Sequence, residues 1–219
     1  MDAYSALIFI HILLMVFWIG TDIGVFIAGF FMMDTRLSIP ERQASIGLGM
    51  VIDRFPRLCF ISILPVGLQL AIMGNHLSID PIAMFGIWVA ALIWLLAALV
   101  PMIRSTSPNL PMLHRVERVM QIASIVGLSC GGVWMLSHTS GQIWLAIKFF
   151  MLALVCLLVI FLEKAFTPPL QAFAEICTTG STPDLEQKLR RGMTWTYVWV
   201  VGIYLAVLVA AYLGIAKPF

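Results

Sequence analysis

The chain has 219 residues, is 61% hydrophobic and 11% charged, and carries a formal net charge of +2. A mean hydropathy of +1.01 excludes a soluble globular domain, and so small a charge gives no basis for nucleic-acid binding. Apolar runs long enough to cross a bilayer, roughly 20 residues each, recur with short connections, so 1–219 reads as a single integral membrane domain in contact with lipid.

The first run is Ala6–Met32. The residues before it, Met1-Asp2-Ala3-Tyr4, lack the basic start of a signal peptide, and the run is too long for one, so a retained span is expected. Inside it stands His11, flanked by apolar residues for more than a turn on each side. A bilayer offers imidazole no partners, so a histidine held there needs a reason. His11, Met15, Trp18 and Asp22 return to one angle of the helix, at about 100° per residue. Gly20, Gly24 and Ala28 form a small-residue stripe on the opposite side, suited to close helix packing.

Five further spans follow, over Leu58–Gly74, Ile82–Met102, Val119–Leu136, Ile143–Leu162 and Trp195–Ile215. Pro56 and Pro81 suit first helical turns, Pro101 and Pro218 suit ends, and Pro65 is expected to kink the second span. Between the first two spans, Ser38-Ile39-Pro40-Glu41 reads as a capping box that opens a short interfacial helix. Thr182-Pro183-Asp184-Leu185-Glu186 repeats that logic before the last span. Cys59, Cys130, Cys156 and Cys177 show no metal-like spacing and read as small apolar packing residues.

Basic residues alternate between connections. Arg36, Arg42, Arg54 and Arg57 lie between spans one and two; Arg104, Arg115 and Arg118 between three and four; Lys164, Lys188, Arg190 and Arg191 between five and six. The connections around Leu77–Asp80 and Thr139–Gln142 contain neither Lys nor Arg. The positive-inside rule then puts both termini on the non-cytoplasmic side. Asp22 falls near the inner end, where pairing with Arg54 or Arg57 is the expected role.

That topology gathers polar residues in the outer half. His11 lies about 10 Å below the start of its span and Lys148 at a similar depth. Trp144 is one turn above Lys148 on the same face, and His76 and His138 end the second and fourth spans; His114 alone of the histidines is cytoplasmic. Met73-Gly74-Asn75-His76 and Met135-Leu136-Ser137-His138 both read Met-x-x-His, with sulfur and imidazole expected on one helix face.

Two chemistries fit this set. Neutral imidazole from a membrane helix is a common axial ligand of haem iron. His11 with His138 or His76 would complete a haem b between helices, with Lys148 or Trp144 meeting its propionates. Thioether with imidazole suits Cu(I) instead, and then the two Met-x-x-His ends form an entry site. A third class is a non-catalytic membrane subunit or assembly factor with no cofactor of its own.

The order His11…Trp18-x-Gly20, then Gly132-Val133-Trp134, then Trp144-Leu145-x-x-Lys148, with a Lys217-Pro218-Phe219 ending, resembles the HemJ-type protoporphyrinogen oxidase family and the related CopD-like copper-resistance proteins. The likeness covers the first span and about the last hundred residues. It implies a helical bundle of the cytoplasmic membrane that binds haem b, with His11 and Lys148 as the functional pair. It also implies an oxidoreductase that takes electrons and protons from protoporphyrinogen IX and passes electrons towards quinone. A quinone or redox protein is then the expected partner, and a homo-oligomer stays open. The family usually has about four spans, and the pair near residues 58–103 is additional here. Where the family has a Pro-Arg segment, this chain has Thr21-Asp22-Ile23-Gly24-Val25-Phe26, and Gln121-Ile122-Ala123 replaces an early proline.

Overall fold

The computed structural model describes residues 2–103, 109–138 and 142–217. Arg104, Thr139 and the Pro218-Phe219 ending lie outside the described residues. Among the described residues every element is helical: α1 Ala3–Met33, α2 Ile39–Ile52, α3 Arg54–Met73, α4 Pro81–Ile103, α5 Leu110–His138, α6 Ile143–Thr179 and α7 Pro183–Ala216. Six stretches are long and apolar enough to cross a membrane, with α2 and α3 forming one of them as Ile39–Met73. The chain is an all-α polytopic membrane protein, as its composition requires.

The chain forms two compact units, Met1–Val25 with Met50–Met120, and Phe26–Gly49 with Gln121–Phe219. In the first unit, α1 runs antiparallel to α3 at seven-residue steps. Tyr4 faces Gly74, His11 faces Gly67, and Trp18 meets Phe60 with ring centroids 5.1 Å apart. Repeats of seven on both helices keep one seam in contact. Phe60 continues the contact to Trp94 of α4. The stripe expected from His11 and Trp18 is therefore the packed face, while Phe9, Ile12, Val16 and Phe17 remain exposed as a lipid-facing surface. Pro65 lies within α3, whose helix continues past it to Met73. At the junction with α4, Asp80 Oδ1 accepts from Ile82 N and Ala83 N at 2.8 and 3.3 Å, and Pro81 takes the first helical position.

The second unit is built on the α6/α7 hairpin. The pairing holds one register throughout: Lys217 over Trp144, Gly214 against Lys148, Gly202 against Leu158, Trp199 stacked on Phe161, Thr196 bonded to Ala165, Gly192 against Pro169. The turn is Gly180-Ser181-Thr182, with Gly180 at φ 92 in the region that favours glycine. At 37 residues, α6 is about 55 Å long, against a bilayer core of roughly 30 Å. The fifth span expected to end at Leu162 thus continues as helix to Thr179, and the sixth begins at Pro183 rather than Trp195. The helix expected to lie at the interface after Thr182 is the first part of α7; Thr182 Oγ1 does accept from Leu185 N, at 3.4 Å.

α6 continues through Pro168-Pro169 because α7 is shaped for it. A Cβ on Gly192 would fall 2.8–3.1 Å from the Pro169 ring. Pro169 has no N–H to give the Ala165 carbonyl; the Thr196 hydroxyl donates to that carbonyl at 3.2 Å.

Near the turn, Met32, Ile46, Phe173, Ile176, Leu185 and Leu189 form a buried core that ties α1 and α2 to the hairpin. At its centre Arg42 is 1% exposed. Its Nη1 and Nη2 donate to Glu186 at 2.7 and 2.9 Å, its Nε donates to the Met32 carbonyl at 2.7 Å, and its plane lies over Phe173. Arg42, counted with the loop cations in the topology argument, is thus an internal residue. At Ser38 one half of the expected capping box forms, Glu41 accepting from Ser38 N at 2.8 Å; the Ser38 hydroxyl donates to the same carboxylate oxygen at 2.6 Å. In the α1–α2 corner, hydrogen bonds from the Arg36 side chain and backbone hold the Asp34 carboxyl at about 2. Of the predicted small-residue stripe, Ala28 alone makes a tight contact, 2.8 Å from where a Cβ on Gly49 would lie; Gly20 faces open space.

Candidate functional site

The sequence-predicted site residues divide between the two units. His11 and His76 belong to the first, and His138, Trp144 and Lys148 to the second.

His11 is half-buried within the α1 span. Its Cε1 lies 3.1 Å from where a Cβ on Gly67 would project, and its Nδ1 is shut off from the surface. The missing side chain of Gly67 is what lets the imidazole lie against α3. Seven residues on, about 10 Å along α3, Gly74 serves a second such contact. His76 Cδ2 and the Tyr4 hydroxyl lie 3.0 and 3.2 Å from its absent Cβ.

Neither Met-x-x-His motif has the geometry its spacing predicts. α3 ends at Met73, and Asn75 takes the left-handed conformation at φ 57. Asn75 N bonds to the Ile72 carbonyl at 3.0 Å and His76 N to the Ala71 carbonyl at 2.8 Å. This is a Schellman ending with asparagine in the glycine position. His76 is therefore off the helix, and the i, i+3 relation to Met73 does not hold. In the second motif Met135 is 1% exposed, whereas His138 is exposed. The His138 ring stacks on Trp134 at 5.1 Å and 14°, with Nδ1 2.9 Å from Ser137 Oγ and 3.0 Å from the Trp134 carbonyl. Sulfur points inward and imidazole outward. Among the described residues no group of three His, Cys, Asp or Glu could hold a metal ion. The four cysteines are free thiols.

Trp144 is buried, and Lys148 one turn below it extends across to α7. Lys148 Nζ lies 2.7 Å from where a Cβ on Gly214 would be, so the ammonium rests on α7 backbone that only glycine exposes. Lys217, the left-handed C-cap of α7, places its Nζ 5.5 Å from the Trp144 ring centroid. On the basic side, Arg57 is engaged by Asp53 at 3.2 Å and by Glu117 at 3.8 Å, and the exposed His114 meets Glu117 at 3.2 Å.

Tyr4, Gly67, Gly74, Gly214 and Lys217 were not singled out as site residues from the sequence. The seven-residue spacing Tyr4–His11–Trp18, matched by Phe60–Gly67–Gly74, is a signal that identifies the first three of them. Comparison with protein-family models, with curated proteins and with solved structures gives no match.

Proposed function

We propose that the chain is an integral membrane haem-b redox protein of a bacterial inner membrane, a quinone-linked oxidoreductase related to protoporphyrinogen IX oxidase. One observation carries this reading. A histidine inside a membrane span lies against a glycine of the facing helix, in a seam that continues to Trp18, Phe60 and Trp94. A histidine inside a membrane span needs a reason for being there, and a metal on its imidazole is one.

The residues fit a haem as far as one axial nitrogen and an apolar lining. His11 is the assigned ligand, with His76 of the same unit as the second. Lys148, in the other unit, is assigned a substrate carboxylate. Bound haem would supply one-electron transfer between the substrate and quinone. The copper alternative has less behind it, because the left-handed Asn75 takes His76 off the helix that holds Met73, and Met135 is buried where His138 is exposed.

A reduced-minus-oxidised absorption spectrum of the purified protein tests this reading. Grown with ample haem, it is expected to show a Soret band and split α and β bands on reduction. A colourless protein overturns it.

A further inference from the structure

The apolar run of α6 ends at Leu162 and that of α7 begins at Trp195, so the boundary between hydrocarbon and water crosses the hairpin at that level. Both helices continue through it, and their register fixes which side chains stand there. Thr196 bonds to Ala165 and Gly192 packs on Pro169. Lys164 is therefore level with Thr196 to within about a residue, and Arg191 lies about 8 Å nearer the turn.

One flank of the hairpin holds both cations. Phe161 and Trp199 stack across it at 5.1 Å and 21°. Lys164 sits about 60° round α6 from Phe161, while Trp195 and Arg191 sit about 40° and 80° round α7 from Trp199, all in one rotational sense. In an antiparallel pair, one sense leads to one flank. Lys164 and Arg191 are exposed, as is Trp195 at 64%. Among the described residues, neither cationic side chain has a hydrogen bond or an ion pair. The acids nearby act elsewhere: Glu163 accepts from Gln121 of α5 at 3.5 Å, and the charge of Glu175 acts on Lys188. Other cations of the hairpin's turn end are matched inside the chain, Arg42 by Glu186 and Arg36 by Asp34.

Each part of this flank has a counterpart in an anionic phospholipid. Tryptophan favours the headgroup level. Cations beside a membrane attract lipids of net negative charge, and the arginine fork suits a phosphate. The Phe161–Trp199 stack, with the exposed Leu157 one turn further into the span, offers an apolar bed for an acyl chain. A zwitterionic lipid would bring a third cation to the same place.

We propose that Lys164 and Arg191 form a site for the phosphate of an anionic phospholipid, with Trp195 beside the headgroup and the Phe161–Trp199 stack along its acyl chain. The site uses none of the residues assigned to haem or substrate.

The test uses the full chain in phosphatidylcholine nanodiscs with rising fractions of phosphatidylglycerol or phosphatidylcholine, each brominated on the same acyl chain. The readout is quenching of Trp195 fluorescence, taken as the difference between each protein and its Trp195→Phe counterpart. Brominated phosphatidylglycerol is expected to quench at about tenfold or more lower fraction than brominated phosphatidylcholine, the scale of two cations at a membrane surface. In the double variant Lys164→Gln with Arg191→Gln the two lipids should come within about twofold. Lys164→Arg and Arg191→Lys should each keep the preference, which separates charge from folding. Added inorganic phosphate should leave the quenching unchanged. Equal quenching by both lipids in the wild type, a preference that survives the double variant, or its relief by inorganic phosphate overturns the proposal.

Discussion

The two ends of the α6/α7 hairpin seat a cation in different ways. At the turn, Arg42 has two carboxylate oxygens, a backbone carbonyl and an aromatic face, and Ser181 donates to the same carboxylate at 2.7 Å. At the other end, the Lys148 ammonium lies against α7 backbone that Gly214 leaves open. The helices, the register and the unit are the same. The difference teaches that the turn end is finished by a carboxylate of the chain itself, as a structural clamp on α1 and α2, whereas at the open end the cation rests on backbone that a glycine exposes.

That contrast can be broken most forcefully at Glu186. Glu186→Gln leaves Arg42 buried without its counter-charge and is expected to cost about 3–5 kcal/mol, read as a large fall in the thermal unfolding midpoint in detergent. The double change Arg42→Met with Glu186→Met should recover most of the loss. Gly192→Ala comes next, because a Cβ there meets the Pro169 ring at 2.8 Å. Overpacking of this kind costs about 1–3 kcal/mol, and the same unfolding measurement reads it. Lys148→Met has the smallest expected effect, within about 0.5 kcal/mol of the wild type or stabilising, since it removes a charge without leaving a partner stranded. A loss at Lys148 as large as that at Glu186 would show that both ends are structural clamps.

Hydropathy made the membrane spans legible, and helical periodicity picked out the face that His11 and Trp18 share. Ser38 and Thr182 were legible as helix openings because capping depends on residues three apart. The long extension of the hairpin was not, for a local reason. The apolar run ends at Leu162, and what carries the helix on past Pro168-Pro169, Gly192 and Thr196, lies on another element. The Arg42–Glu186 pair joins positions 144 residues apart, which no local pattern reveals. Among the site residues, the place of His11 on the packed face of α1 was readable from its spacing to Trp18. The paired motifs were misleading at His76, because a single left-handed Asn75 cancels the helical spacing on which the expectation rested. Lys217 gains its place over Trp144 only through the register of the whole hairpin.

The functional account rests on the imidazole in α1, and the most direct measurement is the absorption spectrum of His11→Ala beside that of the wild type, both purified after growth with ample haem. The account predicts b-type bands in the wild type and their loss in a variant that still elutes as a single, folded species. Bands of unchanged position and intensity in His11→Ala would contradict it.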